Sequence, residues 1–387
     1  MSRCSSGFVR IFERQLMIFN LNRRFLLVAI PIIVLTLTAC AGRINNPEGW
    51  SGGTIDGDTL YIGTQAGDVR ALDVVNGFTK WRFELQGDDK SRGVYGAPAV
   101  TEDAIYVGGY DSVLYVLSHG GDLLWQEPLG GSVVGSPVVA DGMVLIGASD
   151  NVLRAIDVED RIERWSFVTD SRIWSTPAVE GGVVYLTSLD KKVYALKLED
   201  GTKLWEFETG GGIASTPVVD GGRVYVGSFD GVFYALSAAT GEVQWTFDGS
   251  DNWYWGEALV GGDTVYAGSL DGHLYALDKS TGGQKWAFAT AGPIAGRPVI
   301  VFDMIAVPSD DGGLHMVRLS DGKEIGSCNV GSELRSALIV RDDVVFLNAK
   351  DSSIRALRIK SNGNPDEEWV HIADEDDPID VGRPPDC

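Results

Sequence analysis

One sentence is written eight times along this chain. The segment YVGSFDGVFYALS at 225–237 has counterparts beginning at residues 61, 106, 145, 185, 266, 306 and 346, a spacing of about 40 residues throughout. Each unit supplies four short segments of alternating apolar character, punctuated by Asp-Gly, Gly-Gly or Thr-Gly, the pattern of antiparallel strands joined by tight hairpins. A lone four-stranded sheet cannot cover both its faces, whereas units placed in a circle cover one another and leave no bare end. The expectation is an all-β chain, an eight-bladed β-propeller of four-stranded antiparallel blades over residues 50–373. A linear solenoid is the competing architecture, but it wants polar capping units, and the first and last repeats are ordinary.

Each unit closes on an aromatic. ALDVVNGFTKW (71–81), ALKLEDGTKLW (195–205), ALSAATGEVQW (235–245) and ALDKSTGGQKW (276–286) place alanine, glycine and tryptophan at the first, seventh and eleventh positions. This resembles the tryptophan-docking motif of the pyrroloquinoline-quinone (PQQ) propeller superfamily. The resemblance implies that Trp81, Trp125, Trp165, Trp205, Trp245, Trp286 and Trp369 each pack on the next blade. Unit seven departs with Gly326 in place of the ring, so the seam after blade seven is expected to be the weakest and to open first. Unit eight departs by inserting SNGNPDEE before Trp369.

Asn22, Arg23 and Arg24 precede an apolar run, FLLVAIPIIVLTLTA (25–39), too short and proline-interrupted for a comfortable membrane span but right for a signal-peptide core. The run ends in LTAC (37–40), which resembles a bacterial lipobox. That resemblance implies cleavage before Cys40, diacylglyceryl on its sulfur and a lipidated linker over 40–49, with an uncleaved anchor helix as the alternative. Met17 is a plausible true start. The cationic segment stays inside, so the repeats face an extracytoplasmic space. The formal net charge is -22, and loss of residues 1–39, which hold five arginines and one glutamate, leaves -26. Such a body repels nucleic acid and anionic lipid surfaces. Its tail, 374–387, is acidic and proline-bearing and is expected to stay disordered.

Reactive chemistry is sparse. Cys4, Cys40, Cys328 and Cys387 have no metal-ligand spacing; Cys328 and Cys387 could pair after export, but the terminal place of Cys387 favours two free thiols. His119, His273, His315 and His371 are isolated in sequence and are expected to face solvent. The aspartate of each hairpin (Asp111, Asp150, Asp190, Asp230, Asp271) invites a calcium reading, yet a residue repeated in every turn is more simply a turn residue. Within the superfamily, the quinoprotein dehydrogenases need a calcium beside the quinone, a catalytic aspartate and often a vicinal disulfide, and this sequence has no adjacent cysteines.

The lipobox joined to one ring is similar to the BamB-type lipoproteins of the outer-membrane protein assembly machinery. That resemblance implies a non-catalytic scaffold without cofactor, a monomer within a complex, binding membrane or periplasmic proteins and unfolded barrel clients. Its implied place is the periplasmic side of an outer membrane, or the outer face of the cytoplasmic membrane in an organism with one membrane. A PQQ-dependent dehydrogenase holding PQQ with calcium, and a propeller sensing a small ligand, stay open beside it.

Irregularities within the repeat carry the functional signal. Three residues before the recurring proline stand Trp50, Tyr95, Val134, Trp174, Ala214, Trp255, Ala295 and Arg335, half of them aromatic and all expected at the axial mouth. Trp253, Glu257 and Arg297 join them as candidates. Aromatic faces beside arginines suit an extended peptide or a flat ring; the alternative is that the rings plug the axis and Glu257 pairs with Arg297 for structure.

Overall fold

The computed structural model describes residues 51–64, 66–87 and 93–372. The signal segment, Cys40, Trp50 and the acidic tail lie outside the described residues. Strands β1 (Gly53–Asp56), β2 (Thr59–Gly63), β3 (Asp68–Asp73) and β4 (Thr79–Glu84) form blade 1, each strand antiparallel to the one before it. Seven further four-stranded sheets repeat this order over 99–128, 138–168, 178–208, 218–247, 259–289, 299–329 and 339–372. The eight sheets are the blades of a β-propeller.

Burial explains the pattern of the repeat. The second strands TLYIG, MVLIG and MIAVP are buried at every position, because neighbouring blades cover both faces. The outermost strand of blade 1, TKWRFE, alternates half-buried and exposed residues, because one of its faces meets water. Apolar clusters sit between blades: Leu145 and Leu153 of blade 3 pack with Leu186 and Leu196 of blade 4, and Leu60 and Leu72 of blade 1 pack with Phe346 and Ile354 of blade 8. Each such side chain contributes about 1.5–3 kcal/mol by leaving water.

The alanine and the tryptophan of the closing motif are cross-strand partners, as in Ala71 with Trp81 and Ala235 with Trp245. A register shift follows this position in every blade, which is Val116 in blade 2 and Met316 in blade 7, so an extra residue twists the outer strand and, where a tryptophan is present, turns the indole toward the next blade. There the indole N–H donates to a carbonyl: Trp81 to His119 (2.7 Å), Trp165 to Leu198 (2.8 Å), Trp205 to Ala238 (3.0 Å), Trp245 to Lys279 (3.1 Å) and Trp286 to Leu319 (2.9 Å). The motif's glycine lies under the ring. Gly241 has φ +74, and a Cβ on it would lie 2.6 Å from the Trp205 ring. At the junction of blades 2 and 3 Arg161 replaces that glycine at φ 59 and holds its guanidinium 6.0 Å from the centroid of Trp125.

Blade seven exchanges the two partners. Met316 stands where alanine is usual, paired with Gly326 where tryptophan is usual, so the long side chain moves from one strand to the other. Gly326 then lets the backbone of blade eight approach, since a Cβ there would sit 2.2 Å from the Gly363 carbonyl oxygen. Met316 joins an apolar cluster running from Val299 to Ile359, so its side chain supplies apolar volume at this seam. Cys328, in the same cluster, is half of a disulfide, where the sequence favoured a free thiol; the other three cysteines lie outside the described residues.

Among the described residues no strand crosses from blade eight to blade one, and side chains join the two blades. Trp369 Nε1 donates to the Val74 carbonyl at 3.0 Å, Asn348 Nδ2 to the carbonyls of Ser51 and Gly63 at 3.2 Å each, and Arg341 to the Gly57 carbonyl at 2.6 Å. At four other seams a phenylalanine of one blade meets a tyrosine of the next, as in Phe167–Tyr194 at 5.1 Å and Phe207–Tyr234 at 5.5 Å. At closure the corresponding pair is His371 and Arg70, 2.9 Å apart and both fully buried. Guanidinium only donates, so His371 Nε2 accepts. Three of the four histidines are therefore not the solvent-facing residues expected from sequence: His371 is buried, His119 is held between the Tyr61 hydroxyl (3.2 Å) and the Thr101 carbonyl (2.9 Å), and His315 lies between Asp311 (3.2 Å) and Glu324 (2.8 Å), whereas the His273 side chain is 42% exposed as expected. Each of the three sits where a neighbouring strand supplies a polar partner, which spacing along the chain cannot show.

Candidate functional site: the axial mouth

The loop entering each innermost strand begins with an apolar anchor. Val94, Val133, Ile173, Ile213 and Ile294 are fully buried, with Tyr254 and Leu334 nearly so, and they pin the loop so that the following residue lines the axis. Those residues, Tyr95, Val134, Trp174, Ala214, Trp255, Ala295 and Arg335, border one cavity of about 610 Å³. Glu257 and Arg297 border it as well; Trp253 does not. From blade 2 to blade 8, bulky residues alternate with smaller ones. Trp174 and Trp255 thus meet above Ala214 with centroids 6.1 Å apart.

Tyr95 packs on Tyr110 of its own blade at 5.0 Å, whereas the other three bulky residues rest on the hairpin of the preceding blade. Trp174 Nε1 donates to Ser149 Oγ at 3.3 Å, Trp255 stacks on Phe229 (5.4 Å, 18°), and Arg335 forms an ion pair with Asp310 at 3.0 Å. Phe229 also stacks on Trp253 at 4.7 Å and 22°, so four rings run from the exposed surface to the axis. Ser149, Phe229 and Asp310 were missed in the sequence. The signal was there: they stand just before the turn aspartate, at a position that also holds Tyr110, Leu189, Leu270 and Lys350 and so varies more than its neighbours.

One residue before the proline, a second ring of contacts ties the inner ends together. Ser136 Oγ accepts from the Ala97 amide at 2.8 Å, Thr176 Oγ1 from the Ser136 amide at 2.8 Å and Thr216 Oγ1 from the Thr176 amide at 3.3 Å. Blades six and seven present Glu257 and Arg297 at this rank, 3.1 Å apart. Burial pushes the Glu257 carboxyl above its usual range, and Arg297 only partly opposes that. Burial likewise raises Asp310, against the pull of Arg335. Arg335 also reaches Glu333 at 2.7 Å, which in turn meets Lys350 at 3.2 Å. The structure thus brings Tyr95, Trp174, Trp255, Glu257, Arg297 and Arg335 to one opening, and its charges are paired.

The family model described as outer membrane protein assembly factor BamB matches residues 65–175, 169–293, 251–324 and 271–376, most of the chain. The chain belongs to the BamB family. The BamB protein of Yersinia pestis is 28% identical over 122 residues, covering 30% of this chain and 31% of that one. The chain spans about a third of the length of the curated BamB relatives it matches. The crystal structure of BamB from Moraxella catarrhalis superposes with a TM-score of 0.70 at 18% identity, over 80% of this chain and 96% of that one. Quinohemoprotein alcohol dehydrogenase from Comamonas testosteroni superposes at 0.65 and 13% identity, over 80% and 70%. At these identities the structural likeness establishes the propeller and leaves the chemistry to the residues.

Proposed function

We propose that the protein is a non-catalytic scaffold of outer-membrane protein assembly, tethered by lipid on Cys40 to the periplasmic side of the outer membrane and binding protein partners through the axial-mouth face. Membership of the BamB family supports the assembly role. The mouth itself supports the scaffold. A quinone with calcium on the axis needs uncommitted carboxylates, but Glu257 and Asp310 are engaged by Arg297 and Arg335. Those residues do not fit the PQQ–calcium group, and the pairing of every mouth charge is the observation that carries the reading. Tyr95, Trp174, Trp255 and Arg335 then present rigid, amphipathic side chains at low entropic cost, as binding hot spots do.

Cross-linking in native membranes with identification of the captured protein tests the proposal. The triple replacement Trp174→Ala, Trp255→Ala, Arg335→Ala is expected to lose the partner while keeping a cooperative thermal transition. Full recovery of the partner by that folded variant removes the mouth as the binding face.

A further inference from the structure

Trp253 lies outside the axial cavity, is 46% exposed and is covered by Phe229 on one face. Its backbone is fixed: the Trp253 carbonyl accepts from the Leu270 amide at 2.9 Å, and its own amide donates to Asn252 Oδ1 at 2.8 Å. An exposed indole on so rigid a loop is a preorganised contact. The segment DGSDNWYWGE (248–257) holds three carboxylates and no lysine or arginine, with Asp248 and Asp251 exposed. A π-face among carboxylates attracts a planar cation by quadrupole and by charge together.

We infer that the ledge formed by Trp253 and Phe229 on blades five and six docks an extended polypeptide segment through an arginine side chain. The inference rests on the reading that the mouth face is the partner-binding side. It narrows that side to one sector and gives the partner a chemistry. The negative charge of the whole protein steers a basic segment toward it and repels an acidic one.

Titration of the full-length protein with three octapeptides, in which serine alternates with arginine, with glutamate or with alanine, followed by tryptophan fluorescence and calorimetry, decides the matter. The arginine peptide is expected to bind, more weakly as salt rises, and the other two are not. Trp253→Ala should weaken that binding about tenfold, the scale of one desolvated cation–π contact, whereas Trp253→Phe keeps most of it. Equal binding of the arginine and alanine peptides, or undiminished arginine-peptide binding by a folded Trp253→Ala variant, overturns the inference. If Trp253→Ala loses neither the peptide nor the membrane partner, the ledge fails and the scaffold stands; if the peptide binds in a Trp253-dependent way and nothing cross-links in membranes, the scaffold fails and the ledge stands.

Discussion

At the scale of single residues, the turn aspartate does more than shape its own hairpin. Asp190 accepts from the Lys192 amide (3.0 Å), from the Tyr194 hydroxyl (2.7 Å) and from the Asp170 amide in the preceding blade's loop (3.0 Å); Asp230 and Asp271 repeat the set. One carboxylate therefore braces turn, strand and neighbour. Asp190→Ala leaves those donors without acceptors and is expected to cost about 1–3 kcal/mol, read as a lower urea midpoint at unchanged slope. Acid should act on the same class of group. Burial pushes the Asp271 carboxyl up, but bonds from Tyr275, the His273 amide and Ser250 outweigh it and hold the group below its usual range. Asp278, bonded by the Ser280 and Thr281 hydroxyls, is lowered to about 2. A lowered folded value means the unfolded chain takes up the proton first. The contribution of Asp278 is thus present above about pH 4 and lost as pH falls through about 2. Asp278→Asn should accordingly be less stable than the parent at neutral pH, with the gap in melting temperature closing as the pH is lowered.

At the scale of elements, the number of strands and the tryptophan ring were legible because eight aligned copies fix each shared position many times over. What was not legible is compensation between positions. Gly326 read as a missing ring; the structure shows Met316 supplying the volume from the paired strand, a fact that appears only once the register is known. Met316→Ala should leave a cavity and cost about 2–5 kcal/mol by chemical denaturation. Adding Gly326→Trp should not restore it, because the Gly363 backbone occupies the space. The docking glycines carry the opposite constraint. Gly241→Ala puts a methyl against Trp205 at a positive φ and is expected to cost about 1–3 kcal/mol, with loosened protection at the junction of blades four and five. The mouth was half legible: irregular residues before the proline pointed to it, whereas their supports on the neighbouring hairpin, Phe229 and Asp310, required the blades to be set side by side.

At the scale of the whole molecule, closure depends on a few side chains, and the contact between Arg70 and His371 spans 301 positions, beyond any local reading. Asn348→Ala removes donors to Ser51 and Gly63 together, and amide exchange in blades one and eight should rise more than in blades four and five. Every blade is an uninterrupted piece of chain, and the seams between blades three and four, four and five, and five and six share the same indole and phenylalanine–tyrosine contacts. A genetic duplication of one such piece would therefore lengthen the circle at those seams without rewiring. The histidine–arginine joint is written in a different chemistry, and it sits where the two ends of the circle meet.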